Sequence, residues 1–575
     1  LRAYEPVVRF NEGELFFPAA VEDYLACCEL VERSSDGPVV VCERGDVGLA
    51  RLAEIGALRP GTGMFLRFVD RPFTRLEAVR WRHGSNRPRF HNATRLARVG
   101  VLSRVVDALV RMSLLFRGSV AGGTEAAAET LYRGRMRADH HPSYGRVVRT
   151  GGYVALQYWF FYVFNDWRSR VYGVNDHEAD WEQVVVYLAE QPDGSLQPAW
   201  VVFSAHDEIG DDLRRRWDDP DLTLVGDHPV VFAGIGSHSG AYLAGEYLTT
   251  LDPPAFRGVV RWFRRVTRIL LPWTRDAQPT GVGIPYVDYA RGDGLAIGPE
   301  QDREWHQVVI DDDTPWVFRY QGLWGNDTAD PLGGERGPAG PRYERPGRVR
   351  ESWGDPVGWS GLGKVPPNPG VATELIEQRL IDLDADSRAV DSDFEAQRTA
   401  LRAAVASGIT VTAEQQRSLD QLAARRISTL DERRRLETRL QNPPPEPGPH
   451  DHLAHRRLPV PPDPPARRRM LAVWSAISTP LIVAAVALAI RPGNSTSLTI
   501  LVLFWLCVLV AVEAIARRNF VHLVLILLAL GVLVSVVLTM VGLTFYFGWR
   551  VTVSICLGAL AVLLLVANLQ ELSRT

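Results

Sequence analysis

The distribution of apolar residues divides the chain into a mostly polar first part and an apolar last part. From Leu471 onward the sequence is almost wholly apolar. Four apolar segments follow one another there, at 471–490, 498–516, 520–545 and 551–568. A helix needs about 20 apolar residues to cross a bilayer, so this pattern predicts an all-α, four-helix transmembrane anchor at 470–575.

The stretch before the anchor changes character twice. Residues 371–441 are highly charged and carry apolar side chains at heptad-like spacing. A break at 407–410, followed by a capping-box sequence from Thr412 to Gln415, predicts two helices. We expect a helical stalk, either an antiparallel hairpin or a coiled coil that joins two copies of the chain. The next residues, 442–469, are rich in proline and predict an extended linker.

Residues 1–370 show the short apolar runs and polar turns of a mainly β soluble domain with helical insertions. The clearest stretch is 156–188, where the runs 158–164 and 183–188 are rich in Tyr, Phe, Trp and Val. Such runs are too short for helices and predict adjacent strands of a buried sheet.

The polar turn between these two runs holds the candidate chemistry. It carries His177, Glu178, Asp180 and Glu182. Because side chains alternate along a strand, Asp180 and Glu182 are expected on one face, and His177 can fold over to meet them. An imidazole nitrogen with two carboxylates suits a divalent cation such as Ca, Mg, Mn or Zn. The alternative is that Trp181 is a core residue and the acids are solvated.

Two further apolar runs end in polar loops with a histidine, at His206 and at His238. Loops at strand ends commonly carry function. We expect both histidines, with Glu178, to line the same cavity as His177 if the sheet brings these strand ends together.

Charge and cysteine content argue against a nucleic-acid-binding protein and against a fold stabilised by a zinc ribbon or by disulfides. The chain has 64 Lys and Arg against 67 Asp and Glu, a formal net charge of −3, so it lacks the electrostatic footprint of a nucleic-acid-binding protein. The five cysteines have neither zinc-ribbon nor disulfide-framework spacing.

Arginines next to the apolar segments predict the topology. They lie at 467–469, before the first segment, and at Arg517 and Arg518, between the second and third. Placing both groups on the cytoplasmic side is consistent with four crossings and predicts a cytoplasmic soluble domain. Glu513 is expected to pair with Arg517, one helical turn later.

A basic amphipathic segment interrupts the soluble part at 257–270. On a helix its arginines would form one face, and aromatic and aliphatic residues most of the rest. This composition predicts contact with an anionic bilayer surface, although a surface helix packed on its own domain is equally compatible. The predicted membrane-interface residues are Arg257, Arg261, Trp262, Phe263, Arg264, Arg265 and Arg268.

Several segments together resemble the vacuolar protein sorting 62 family, which is itself distantly similar to the necrosis- and ethylene-inducing proteins. In chain order they are YEPVVRFNEGELFFPAAVEDYL, LQYWFFYVFN, HEADWEQVVVYL, FSAHDEIG, PVVFAGIGSHS, PYVDY and WVFRYQGLWGNDTADPLGGERGPAGPRYE. They run from about residue 4 to 344. The resemblance implies a β-sandwich at 1–370.

The resemblance also implies a site. In the toxin relatives the motif GHRHDWE helps to hold a divalent metal that assists recognition of a sphingolipid sugar headgroup. By position, His177, Asp180 and Glu182 match its first histidine, its aspartate and its glutamate. Ala179 replaces the second histidine, and the upstream aspartate has no clear counterpart. Metal binding is therefore expected, and toxin activity is not.

Three functions follow from these observations. The first is recognition of a lipid headgroup, glycan or protein at the membrane, with or without a divalent metal. The second is a metal-dependent hydrolase in which His206 or His238 serves as acid or base. The third is a structural scaffold built on the anchor. The string HEADW lacks the second histidine of a zincin, and no nucleophile elbow or Walker loop occurs, which favours the first function over an enzyme.

Overall fold

The structure is a computed structural model. The residues it describes are 1–84, 88, 90, 94–101, 104–105, 122–137, 139–167, 176–204, 210–251, 265, 284–326, 337–345, 347–443, 447–489, 496–517, 520–551, 553–554, 557–558, 561–562 and 565. The α-helices are Val21–Cys27, Leu49–Leu58, Arg75–Arg82, Thr94–Arg98, Gly123–Arg135, Gly210–Leu213, Pro315–Arg319, Glu351–Gly354, Pro356–Trp359, Pro369–Ala406, Ala413–Gln441, Pro465–Ala489, Thr496–Ala516 and Phe520–Phe547. The strands are β1 Val7–Arg9, β2 Glu29–Glu32, β3 Val39–Cys42, β4 Met64–Arg67, β5 Pro142–Thr150, β6 Tyr153–Asn165, β7 His177–Glu190, β8 Leu196–Phe203, β9 Arg214–Arg216, β10 Leu224–Val225, β11 His228–Ala233, β12 Gly240–Ala241, β13 Gly245–Leu251, β14 Ile284–Ala290, β15 Ala296–Ile297 and β16 His306–Val309.

The chain forms two compact units. The first comprises Leu1–His91, Ser113–Leu248 and Val287–Pro461. The second comprises Asn92–Met112, Thr249–Tyr286 and Pro462–Thr575. The predicted stalk and most of the predicted linker therefore belong to the same unit as the sheets.

A six-stranded sheet lies at the centre of the first unit, in the order β16-β5-β6-β7-β8-β9. Strands β5 to β9 form an antiparallel meander, and β16 pairs in parallel with β5. The predicted runs 158–164 and 183–188 lie in β6 and β7, which pair along almost their whole length. The prediction of adjacent, buried strands is thus confirmed.

One face of the six-stranded sheet packs against a second, smaller sheet. That sheet has the order β10-β11-β1-β15, with β12 paired to β11. The short strand β1 lies between β11, which is parallel to it, and β15, which is antiparallel. Tyr158 and Phe160 of β6 share a buried cluster with Val8 of β1 and Val231 of β11.

The opposite face of the six-stranded sheet is covered by helices, loops and a three-stranded sheet of the order β3-β2-β4. There Trp159 and Phe161 pack in a cluster with Tyr24, Trp316 and Trp324. Because both faces are buried, β6 is apolar on both faces rather than alternating, with Gln157 and Asn165 as its two polar residues. The unit therefore combines sheets with several helices, and the β-sandwich implied by the resemblance stays a prediction.

The predicted stalk is an antiparallel hairpin of the helices Pro369–Ala406 and Ala413–Gln441. Ion pairs join Arg379 to Glu432 at 2.9 Å and Asp391 to Arg426 at 2.7 Å, so a later position in the first helix meets an earlier one in the second and the two helices run in opposite directions. The second helix begins with the predicted capping box at Thr412. Homo-oligomerisation through the hairpin stays a prediction.

The apolar last part is helical. Two helices of the described part are long and apolar enough to cross a membrane, Pro465–Leu488 and Thr496–Ala516. Two of the four expected crossings are therefore candidates. The third predicted segment lies in the helix Phe520–Phe547, and much of the fourth lies outside the described residues. The predicted linker is also too long, because proline fits the first turn of a helix and the helix begins at Pro465.

A buried ion-pair network lies inside the second unit. Glu513 pairs with Arg517, as predicted, and also with Arg104, whose Nη1 lies 2.8 Å from its Oε1. The side chain of Arg104 is only 3% exposed and also donates to Ser478 and Thr479. This contact joins positions 409 residues apart and has no signal in the local sequence.

Removing Arg104 should destabilise the second unit. Breaking a buried, hydrogen-bonded charge pair costs roughly 3 kcal/mol, because the remaining carboxylate is left partly uncompensated. We expect Arg104→Leu to lower the thermal unfolding midpoint of the detergent-solubilised chain, and the exposed control Arg469→Leu to leave it unchanged. Equal midpoints for the two variants would show that the network contributes no net stability.

Candidate functional site

The predicted site residues lie on β7, where it pairs with the end of β6. Asp180 lies opposite Tyr162, and Glu182 lies opposite Phe160. Both carboxylates are on the face of the sheet that turns to the smaller sheet, whereas Trp181 packs in the aromatic cluster on the other face. The expectation that the two carboxylates share one face is confirmed. Of the alternative interpretation, Trp181 is a core residue as predicted, but the acids are not solvated, because Asp180 and Glu182 are only 6% and 7% exposed.

Glu178 does not join them, because β7 breaks its alternation at Ala179. Ala179 has a φ of 61°, a left-handed conformation that is uncommon for alanine. Strict alternation would place Glu178 on the face of Asp180. Instead its carboxylate accepts hydrogen bonds from the backbone N–H groups of Phe68 at 3.0 Å and Val69 at 2.8 Å, and of Asn326 at 3.0 Å.

The segment around Asn326 approaches Glu178 very closely. A Cβ on Gly325 would lie 1.9 Å from the Glu178 carbonyl oxygen, so only glycine fits there. Glu178 thus connects the start of β7 to the chain after β4 and to the segment 324–326. Its role is structural, and the prediction that it lines the cavity is not supported by these contacts.

Asp180 lies at the centre of a polar cluster. Its Oδ2 accepts hydrogen bonds from Asn165 Nδ2 and from His238 Nδ1, both at 3.0 Å. The His238 ring is stacked on Tyr162 with a centroid separation of 3.7 Å. His238 lies in the loop after β11, so the structure brings two of the predicted strand ends together. It too has a left-handed backbone, with a φ of 55°.

His177 and Glu182 are each held by a separate neighbour. His177 Nδ1 lies 2.7 Å from the Ala179 carbonyl oxygen, to which it donates. Glu182 accepts a hydrogen bond from the Ser204 hydroxyl. An imidazole that donates one N–H to a carbonyl presents its other nitrogen as a ligand, an arrangement found in many metal sites.

The ligand atoms of His177, Asp180 and Glu182 are of the kinds that bind a divalent cation, but they are not grouped closely enough to hold one. Within the described part of the chain, one group of three acidic or histidine ligand atoms lies within 4.8 Å of one another, and it consists of Asp219, Asp221 and His450. His177, Asp180 and Glu182 do not form such a group.

Two buried polar atoms of the cluster have no hydrogen-bond partner among the described residues. They are Nε2 of His238 and Oδ1 of Asn165. Both side chains are almost completely buried, at 2% and 0% exposed. Buried polar groups nearly always have a hydrogen-bond partner. A polar ligand can supply the missing hydrogen bonds to these two atoms.

Further carboxylates lie close to the cluster, and the guanidinium of Arg350 interacts with it. Behind the loop of His238, Glu14 accepts from the Gly236 N–H at 3.0 Å, and Asp288 accepts from the Ser237 hydroxyl at 2.7 Å. Burial lowers the pKa of the Arg350 guanidinium, and attraction to Glu344 and to the cluster carboxylates opposes that shift. Such a setting favours a cation or a hydrogen-bond donor as the ligand.

Other predicted site residues lie outside the described part. His206 is one of them. Of the predicted membrane-interface residues, Arg265 alone is described, and it is exposed; Arg257, Arg261, Trp262, Phe263, Arg264 and Arg268 are outside. The interfacial contact therefore stays a prediction.

Comparison with known proteins yields short local matches. No family model and no curated protein matches the chain. It is weakly similar to the structure of NLPPya in complex with mannosamine, at 18% identity and a TM-score of 0.15, and of NLPPya in complex with glucosamine, at 19% and 0.14. Each match covers 19% of this chain, which spans about half the length of those proteins, 48% and 47%. They are neighbours of the necrosis- and ethylene-inducing type, and the vacuolar protein sorting 62 resemblance stays a prediction.

The left-handed backbone at Ala179 can be tested by glycine substitution. A left-handed alanine costs about 1 kcal/mol, which glycine relieves, while glycine in a regular strand loses roughly 0.5–1 kcal/mol. We expect Ala179→Gly to change the free energy of unfolding by less than about 0.5 kcal/mol. Ala155→Gly, at an equally buried position of β6, should lower it by about 1 kcal/mol or more. Equal losses in chemical denaturation would contradict the strained backbone.

The protonation of Glu178 should appear in the pH dependence of stability. Burial raises its pKa from 4.5 to about 7, and the backbone hydrogen bonds from Phe68, Asn326 and Val69 oppose the rise. The folded state then holds a proton that the unfolded chain has lost, so this contribution is complete below pH 4.5 and decreases as the pH rises to about 7. We expect the stability of the wild type, relative to that of Glu178→Gln, to fall over this interval. A constant difference would show that the carboxyl is ionised throughout.

Proposed function

We propose that the first unit is a binding domain for a polar, hydroxyl-rich ligand, either a glycan or the headgroup of a lipid, which the protein recognises at a membrane. The cluster of Asp180, Asn165 and His238 carries this proposal. Carboxylate, amide and imidazole groups at the end of a buried sheet offer directional hydrogen bonds, which fix the orientation of a polar ligand. The strained backbones of Ala179 and His238 lie at this place, and such strain is concentrated at functional sites.

A divalent cation would be held by His177, Asp180 and Glu182. Each of these side chains has an outer hydrogen-bond partner that orients it, namely the Ala179 carbonyl, the His238 imidazole and the Ser204 hydroxyl. When bound, the cation would supply positive charge that attracts hydroxyl oxygens of the ligand. The side chains would have to turn towards one another, because their ligand atoms are not yet grouped.

The membrane part of the proposal extends beyond the two candidate spans. We propose that the apolar segments 520–545 and 551–568 complete four crossings and that the first unit is cytoplasmic. The support is the apolar length of each segment and the arginines at 467–469, Arg517 and Arg518. The basic segment 257–270 would then contact the same bilayer.

One observation favours a hydrolase as the second candidate. In the Asp180–His238 pair, the carboxylate accepts from Nδ1 while Nε2 has no partner among the described residues. This is the orientation of a carboxylate–imidazole pair that acts as a general base. Turnover of a glycan or phosphodiester that stops in His238→Gln would identify a hydrolase, whereas retention of the unchanged ligand would identify a binder.

Cation binding is the first measurement. We expect calorimetric titration of the full chain in detergent with Ca²⁺, Mg²⁺, Mn²⁺ and Zn²⁺ to find one bound ion for the wild type. The isosteric double variant Asp180→Asn with Glu182→Gln should bind it at least about tenfold more weakly, because two charged ligands are lost. The matched control Asp313→Asn with Glu43→Gln, which removes two exposed carboxylates, should bind as the wild type does.

The outcomes separate the proposed functions. If the wild type binds no ion, metal-assisted recognition is wrong, and a scaffold that needs no site becomes the better interpretation. If it binds one, the same variants are compared with soluble methyl glycosides and with vesicles whose lipids carry the same sugars. Binding to both forms indicates glycan recognition, and binding to vesicles alone indicates a lipid headgroup.

A further inference from the structure

The segment before the helix Pro465–Ala489 packs on the rest of the first unit, although its composition predicts an extended linker. We call residues 447–461 the strap. Its Val460 N–H donates to the Glu246 carbonyl at 2.7 Å, as a strand partner would. Pro459 packs so closely on Gly245 that a Cβ there would lie 2.4 Å from the proline Cβ.

The strap is attached mainly by charge. Four of its five basic or imidazole side chains each pair with a carboxylate, and the fifth, His452, bonds the Arg214 carbonyl oxygen. The pairs are His450–Asp219 at 2.9 Å, His455–Asp212 at 2.9 Å, Arg456–Asp221 at 2.6 Å and Arg457–Asp288 at 2.9 Å. Three of the carboxylates, those of Asp219, Asp221 and Asp288, are buried. Without the strap Asp288 would lose the guanidinium of Arg457, and Asp219 and Asp221 would keep only the more distant Arg215, which is costly for buried groups.

The group of Asp219, Asp221 and His450 is better explained as a docking contact than as a cation site. Arg456 donates two hydrogen bonds to Asp221. The guanidinium of Arg215 lies 4.0 Å from Asp219 and 3.9 Å from Asp221. Two guanidinium groups therefore already offset the two carboxylates, and a divalent ion would have to displace them.

Arg457 connects the strap to the candidate site. Its partner Asp288 accepts from the Ser237 hydroxyl at 2.7 Å, and the Ser237 carbonyl accepts from Asn165 Nδ2 at 3.4 Å. The same Asn165 amide binds Asp180. An unbroken chain of polar contacts thus leads from the strap to the centre of the cluster.

This chain of contacts has little free space. A Cβ on Gly234, at the start of the loop that carries Ser237, would lie 2.3 Å from Asp288 Oδ1. The loop backbone therefore approaches Asp288 so closely that only glycine fits at this position. The next residue after Ser237 is His238, whose imidazole binds Asp180.

We propose that the strap regulates the candidate site: docking of Arg457 on Asp288 holds the loop 234–239 in its binding geometry, and ligand binding at Asp180 in turn stabilises the docked strap. The effect on the ligand rests on the proposed function. The coupling between the strap and the loop 234–239 is independent of the proposed function, because it is a property of the fold. Coupling between two sites is reciprocal, so each can be measured through the other.

Since the strap ends at Pro461 and the helix Pro465–Ala489 begins four positions later, the regulator is continuous with a candidate membrane helix.

Hydrogen exchange of the full chain in detergent, without added ions, tests the coupling. The Gly236 N–H bonds to Glu14 and the His238 N–H to the Gly234 carbonyl, so both amides are protected. We expect Arg457→Gln to raise exchange at these amides by about tenfold, because a charge-assisted hydrogen bond is lost. The control His455→Gln, which removes another docking contact, should raise exchange in the strap alone.

Each result supports or overturns the proposal. Unchanged exchange at 236 and 238 in Arg457→Gln overturns it, whether or not the wild type binds an ion. Raised exchange supports it, even if no ion binds and the proposed function fails. If the wild type does bind Ca²⁺, saturation should slow exchange in residues 447–461, and Arg457→Gln should weaken Ca²⁺ binding several-fold. Ca²⁺ binding that leaves the strap unchanged overturns the reciprocal part.

Discussion

The left-handed backbone of Ala179 is the constraint on which the candidate site depends. In an ordinary strand Glu178, Asp180 and Glu182 would share one face, and three carboxylates would compete in one small volume. The break at Ala179 directs Glu178 to the backbone N–H groups of Phe68 and Val69, just after β4, and leaves Asp180 and Glu182 on the other side of the sheet. One residue thus separates a structural carboxylate from two candidate ligands, and it can do so because the paired strand β6 stays in register on both sides.

The sequence predicts the parts of this site that follow from periodicity. The apolar runs of β6 and β7 mark a buried strand pair, and alternation places Asp180 and Glu182 together. The break is missed because alanine gives no signal for a left-handed conformation, unlike glycine or asparagine. His238 was expected near the cavity from its place after a strand, but its bond to Asp180 depends on a pairing between distant strands.

Docked and buried charges are the least predictable features. The strap has the composition of a linker, and nothing in its prolines and histidines reveals four carboxylates that lie more than 160 positions away. Likewise, nothing in the sequence distinguishes Arg104 from the other arginines, and its ion pair with Glu513 appears only in the folded structure. Contacts of this kind are set by global topology, and local propensity says little about them. Once formed, they specify a single arrangement, because any other leaves a buried charge without a partner.

The position of β1 has a consequence for the order of events during synthesis. β1 pairs with β11 on one side and with β15 on the other, so Arg9 finds its last partner at Ala296. At the usual translation rate the ribosome needs roughly 15–60 s to cover that distance. Val7, Val8 and Phe10, all fully or almost fully buried in the finished fold, have no neighbouring strand until β11 has been made, and β1 lacks its second neighbour until β15 has been made. The nascent chain therefore exposes these apolar side chains while the strands β2 to β10 are being synthesised.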